Sequence, residues 1–127
     1  MSRTALVVDD DPLTRQAVVR VLRKLGVDTI LQADNVTRGM RLLDEHPPAL
    51  DLVVMDQHMP GGEGVDTLPA LRRHAPDAPI LFFSGAEPPS SLLPALERNE
   101  CHWLQKPVSA TCFSQIVGQL LAGASPA

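Results

Sequence analysis

With 127 residues, the chain is long enough for one hydrophobic core and too short for two, and 11 Lys and Arg against 15 Asp and Glu leave a net charge of −4. No basic cluster stands out along a face or a helix, so nucleic acid is not expected as a direct partner, and no apolar run approaches the roughly 20 residues that span a bilayer. There is no amino-terminal targeting pattern, and Cys101 and Cys112 lie outside any zinc-ligand spacing, so a cytoplasmic domain with two buried thiols is expected.

The first element is an apolar strand, Ala5 to Val8, that runs directly into Asp9, Asp10 and Asp11. Asp11 followed by Pro12 predicts a capped helix start, and Leu13, Ala17, Val18, Val21, Leu22 and Leu25 recur at helical spacing, with Arg15, Gln16, Arg20 and Lys24 largely on the other side, until Gly26 ends the helix. A weaker strand is predicted around Val27 to Leu31. A second helix follows from about Asn35, carrying Val36, Met40 and Leu43 and stopped by Pro47 and Pro48. Leu52 to Met55 has no polar alternation, which predicts a strand buried on both faces of a parallel sheet, with Asp56 at its carboxyl end and turn chemistry at Pro60, Gly61 and Gly62. A third helix is suggested by Val65, Leu68 and Leu71, with Pro69 delaying or kinking its start. Ile80 to Phe83 is a further strand ending in Ser84-Gly85, and the fourth helix, within Glu87 to Glu100, is expected to be short, irregular or mobile because of Pro94. A last strand near Trp103 and Leu104 runs into Lys106-Pro107. The last helix is capped by Ser109, striped by Phe113, Ile116, Val117, Leu120 and Leu121, and closed by Gly123, leaving Ala124 to Ala127 as a tail.

Helical patterns between strand patterns predict five βα units on one parallel sheet, in a single domain over 1–127 with its core at about 4–121. Ligands bind such sheets outside the carboxyl ends of the strands, and there four strands deliver acids, a hydroxyl and an amine. Asp9, Asp10 and Asp56 would repel one another by roughly 3 kcal/mol per pair at about 6 Å and an effective dielectric near 20, so a positive charge belongs among them. Lys106 and a hard divalent cation such as Mg²⁺ are the candidates. Together with Ser84 and free backbone amides they can stabilise a phosphoryl group in transfer to a carboxylate nucleophile.

The motifs VVDDDP, VVMDQHMPGGEG, FFSGA and LQKP, in this order and spacing from Thr4 to Leu121, resemble the receiver domains of bacterial two-component response regulators. The resemblance implies a flavodoxin-like (βα)5 fold of strand order 2-1-3-4-5, an order the chemotaxis receivers already exemplify. It implies a phosphorylation-dependent signalling switch rather than a multiple-turnover enzyme. By matching position it makes Asp56 the phosphoacceptor. Asp9, Asp10, Asp56 and the backbone carbonyl of His58 become the Mg²⁺ ligands, Lys106 a phosphoryl contact, Ser84 the switch hydroxyl and Trp103 the switch aromatic. A cis Lys106-Pro107 peptide is implied as well. The implied partners are a histidine kinase or histidine phosphotransfer protein as donor and a downstream protein at the fourth helix, last strand and fifth helix, with neither nucleic acid nor membrane contacted directly.

Three residues depart from the family pattern: His58 two positions after the acceptor, the bulky Trp103, and Pro94 in the fourth helix. The imidazole of His58 is a candidate for tuning the lifetime of the acyl phosphate. His46, His74 and His102 receive no role. Two other functions fit parts of the pattern. A Mg²⁺-dependent hydrolase of the haloacid dehalogenase type would need a second Asp where His58 stands, and a phosphate-independent binding module would leave the filled acidic, hydroxyl and lysine positions without use.

Overall fold

The computed structural model describes residues 2–45, 49–59 and 62–123. The readings made on His46, Pro47, Pro48, Pro60, Gly61 and the tail 124–127 lie outside them. Five parallel strands form one sheet: β1 (Thr4–Val8), β2 (Thr29–Ala33), β3 (Leu52–Met55), β4 (Ile80–Ser84) and β5 (His102–Gln105), in the order β2-β1-β3-β4-β5. Helices α1 (Pro12–Lys24), α2 (Val36–Glu45), α3 (Leu68–His74), α4 (Leu93–Glu97) and α5 (Ala110–Leu121) connect and cover it. This is the flavodoxin-like arrangement expected from the alternating patterns. Among the described residues no helix is long and apolar enough to cross a membrane.

Alternation within the strands builds two cores on opposite faces of the sheet. Leu6, Val8, Val53, Met55, Ile80 and Phe82 pack with Leu43, Leu71 and Ala95 from α2, α3 and α4. Ala5, Val7, Leu52, Val54, Leu81 and Phe83 pack with Val18, Leu22, Phe113 and Val117 from α1 and α5. The central strands are apolar except at Thr4 and Ser84, their two polar ends, because both faces are covered.

Local chemistry sets the element boundaries. Asp11 caps α1, accepting from the Leu13 amide at 3.1 Å and the Thr14 hydroxyl at 2.6 Å, and Ser109 accepts from the Cys112 amide at 3.1 Å. Gly26 and Gly123 follow α1 and α5 at φ +89° and +81°, a region open to glycine. Pro69 and Pro94 each sit in the first turn of their helix, where no amide donor is lost, and a 3₁₀ turn precedes each, over Gly64–Thr67 and Ser90–Leu92. The fourth helix is therefore short, as Pro94 implied, but regular.

Three expectations are corrected. The second strand is Thr29–Ala33, two residues beyond the predicted stretch, because Asp28 and Thr29 first donate to the Arg3 carbonyl and so set the register. Leu13, placed in the apolar stripe of α1, is 75 % exposed, since it lies in the first turn beyond the edge of the sheet that Val18 and Leu22 cover. The absence of a basic helix face also fails: α1 carries Arg15, Arg20, Arg23 and Lys24 and no acid, charges scattered in sequence that one helix gathers.

Candidate phosphoacceptor site

Backbone pairing assembles the site. The Asp56 amide donates to the Val8 carbonyl at 2.9 Å and the Asp9 amide to the Ala33 carbonyl at 3.1 Å, so the ends of β1, β2 and β3 lie side by side. One carboxylate oxygen from each of Asp9, Asp10 and Asp56 falls within 4.8 Å of the others. Asp9 and Asp56 are buried and Asp10 is exposed. Lys106 reaches the cluster from beyond β5: Nζ is 2.9 Å from Asp9 Oδ2 and 3.5 Å from Asp56 Oδ2. The ammonium lies over Phe83, with Nζ 5.3 Å from the ring centroid. The Lys106 amide donates to the Ser84 carbonyl at 2.7 Å, and the Lys106-Pro107 peptide is cis.

Burial pushes the Asp9 carboxyl above its ordinary value. The Asp11 amide and Lys106 pull in the opposite direction, and the Asp56 charge adds to the rise. One ammonium among three carboxylates leaves two negative charges uncompensated at a half-buried sheet edge. All the free donors are hard carboxylate oxygens, the set that suits Mg²⁺ and not a soft metal. The cluster therefore fits the cation that the acidic motifs imply.

The remaining predicted residues take these places. Ser84 is fully buried at the end of β4, its Oγ accepting from the Ala86 amide at 3.2 Å. Trp103 is half-buried on β5, 5.7 Å from Phe82 between ring centroids, and its Nε1–H donates to the Ala86 carbonyl at 3.1 Å. Ala86 thus joins Ser84, through its amide, to Trp103, through its carbonyl. His58 is exposed, and Nδ1 lies 2.9 Å from Glu63 Oε2 across a two-residue antiparallel ribbon, His58–Met59 with Gly62–Glu63. Of the histidines assigned no role, His74 pairs with Asp44 of α2 at 3.2 Å, while His102 is lowered from its ordinary value by burial and by the Arg72 charge.

Sequence reasoning missed four supporting residues. Gln57 is buried, and its Oε1 accepts from the Val65 amide at 2.8 Å, while its backbone N–H donates to Asp56 Oδ1 at 2.7 Å. A Cβ on Gly64 would stand 2.0 Å from the Asp56 carbonyl oxygen, so only glycine fits behind Asp56. Arg15 Nη1 donates to the Asp9 carbonyl at 2.7 Å. Glu63, the fourth, holds His58. Gly64 closes the motif around Asp56 and could have been singled out; nothing in the sequence marks Gln57 or Arg15.

The model of the response regulator receiver domain matches residues 5–117. The chain belongs to this family. It is 32% identical over 114 residues to the transcriptional regulatory protein CitT of Bacillus subtilis, covering 89% of this chain and 50% of that protein. It is 26% identical over 121 residues to the chemotaxis protein CheY of the same organism, covering 95% of this chain and 99% of that one. A response regulator receiver domain from Clostridium thermocellum superposes with a TM-score of 0.79 at 25% identity, covering 95% of each chain. The receiver spans about half the length of the transcriptional regulator it matches.

Proposed function

We propose that this receiver takes a phosphoryl group onto Asp56 from a histidine kinase or histidine phosphotransfer protein and changes the surface it offers to a partner. The observation that carries the reading is the trio of carboxylate oxygens within 4.8 Å, with Lys106 Nζ spanning Asp9 and Asp56. In the transfer a free oxygen of Asp56 attacks phosphorus as the bond to the donor imidazole nitrogen breaks. The imidazole leaves with the bonding pair, and an acyl phosphate remains on Asp56. The Gln57 amide orients the nucleophile through Oδ1, leaving Oδ2 on the side of Lys106. Lys106 then turns from the carboxylates to a phosphoryl oxygen, and the Ser84 hydroxyl donates to another. Asp9, Asp10 and Asp56, with the His58 carbonyl, would hold Mg²⁺, which supplies neutralisation of the charge gathered on carboxylates and phosphoryl oxygens.

Readout follows from the two bonds of Ala86. When the Ser84 hydroxyl turns to the phosphoryl group it ceases to accept from the Ala86 amide, and the carbonyl of Ala86 that holds the Trp103 indole is released to move. The face formed by α4, β5 and α5 then changes shape for a downstream protein. His58, held by Glu63 on the ribbon beside the acceptor, tunes the lifetime of the acyl phosphate. The domain acts as a cytoplasmic switch, touching neither nucleic acid nor membrane itself, and performs only its own phosphorylation and dephosphorylation.

The decisive experiment supplies acetyl phosphate with and without Mg²⁺. An acid-stable, alkali-labile phosphoryl group should form with Mg²⁺ and be absent in Asp56→Asn. Undiminished labelling of that variant, or repeated turnover of p-nitrophenyl phosphate by the native chain, overturns the reading.

A further inference from the structure

We propose that the cationic trough along the open edge of the sheet, between α1 and α2, docks the acidic face of a partner protein. β2 is an edge strand, paired only with β1, and two depressions of about 430 Å³ and 240 Å³ meet at its exposed Gln32. Arg20, Arg23 and Lys24 line the larger one and Arg15 and Arg38 the smaller one. Among the described residues none of these five side chains is in an ion pair, although the chain is acidic overall. α1 has no acid along its length, so nothing on the helix itself neutralises them. A half-exposed edge strand flanked by the guanidinium forks of Arg20, Arg23 and Arg38 offers planar, bidentate partners to carboxylates.

Geometry and charge choose among occupants. Arg15 to Lys24 spans roughly 13 Å along the helix, at about 1.5 Å per residue, which matches carboxylates placed one turn apart on a partner helix. A second copy of this chain set against the same face would bring cations onto cations. A nucleic acid is disfavoured by Asp34, which lines the smaller depression and would meet a continuous phosphate backbone. The trough also has no ring on which a base could stack: Phe82, Phe83 and Phe113 are buried and Trp103 sits on the opposite edge strand. Interspersed carboxylates on a protein surface can avoid Asp34. The trough lies on the side of α1 away from α5, apart from the face assigned above to the readout. Through the Arg15 bond to the Asp9 carbonyl it is joined at one end to the acidic site.

The test titrates the ¹⁵N-labelled chain with a helical alanine-based peptide bearing Glu at every fourth position, and with its Gln counterpart, in 50 mM NaCl. Amide shifts should cluster at residues 15–24 and around Gln32 and Arg38, with no response to the Gln peptide. Affinity should fall at least tenfold in Arg20→Glu/Arg23→Glu/Lys24→Glu and severalfold in the milder Arg23→Gln/Lys24→Gln. Phosphorylation of Asp56 by acetyl phosphate should persist in both variants, which establishes that they are folded independently of the peptide result. Shifts confined to other surfaces, equal affinity in the variants, or tighter trough-dependent binding of an oligothymidylate than of the Glu peptide would overturn the proposal.

Discussion

Replacing Asp56 by Asn should stabilise the metal-free protein while removing its function. At 4.8 Å, the limit that contains the three carboxylate oxygens, each like-charge pair costs about 3.5 kcal/mol at an effective dielectric near 20. Asp56 takes part in two such pairs, with Asp9 and with Asp10. Against them stands its attraction to Lys106, about 4.7 kcal/mol at 3.5 Å on the same scale. Removing the charge therefore relieves about 2 kcal/mol, less the share of exposed Asp10 that water already screens, so a gain of about 1–2 kcal/mol is expected. Asn retains an oxygen for the Gln57 amide, and Lys106 retains its shorter contact with Asp9. Urea unfolding in EDTA at low salt, followed by Trp103 fluorescence and circular dichroism, measures the difference. The gain should shrink in 0.5 M NaCl. Mg²⁺ should narrow or reverse it, because a cation at 100 times its dissociation constant stabilises the native protein by about 2.7 kcal/mol. A metal-free Asn variant no more stable than the native protein would refute the claim that like-charge repulsion at this site outweighs the lysine contact.

Adding Mg²⁺ with beryllofluoride should change the intensity or emission maximum of Trp103, and Ser84→Ala should lose that response; a response persisting in Ser84→Ala would break the proposed link through Ala86. His58→Asn should alter the dephosphorylation rate severalfold with Mg²⁺ affinity nearly unchanged, as followed by loss of label over time, and equal lifetimes would leave His58 only its contact with Glu63. Burial and the Arg72 charge lower the His102 pKa in the fold, so the unfolded chain binds the proton first and stability is lost as pH falls from the ordinary value of 6.5 through the folded one. Arg72, Asp77 and Glu100 line the same depression, and His102→Gln should flatten the stability curve over that interval while leaving it unchanged above neutrality. Cys101, buried and with its thiol pushed up to about 11, should react with a disulfide reagent at pH 8 only on unfolding, whereas half-buried Cys112 should react in the native state.

Much of the fold was legible because the buried parallel strands cannot hide their apolar runs. Leu52 to Met55 and Ile80 to Phe83 are covered on both faces, and each ends in a residue of chemical interest. Edge strand β2 was misplaced by two residues because its half-exposed sequence, TILQA, carries no such signal and its register depends on the Arg3 carbonyl. The grouping of Asp9, Asp10, Asp56 and Lys106 was readable from strand ends alone. Gln57 and Arg15 were not, since their parts depend on which backbone group each side chain meets in three dimensions. Helical spacing alone puts Arg15, Arg20 and Lys24 on the polar side of α1; that Arg23 and, from α2, Arg38 join them around Gln32 depends on where the fold sets β2.

Arg72 shows how the two rims of the sheet differ. Its guanidinium donates to the carbonyls of Ala75, Pro76 and Ala78 after α3 and to that of Glu100 before β5. One side chain thus rivets the entrances of two neighbouring strands at the end opposite the acidic cluster, a bond set that a lysine, with three donors and no planar fork, cannot reproduce. At the opposite rim Lys106 ties the end of β5 to the acidic cluster and, through its amide, to Ser84, while Ser84, Ala86 and Trp103 are joined by single hydrogen bonds. With the amino ends of β4 and β5 pinned together by Arg72, a displacement of these two strands has to be taken up at their carboxyl ends, the ends that carry Ser84 and lead into Lys106.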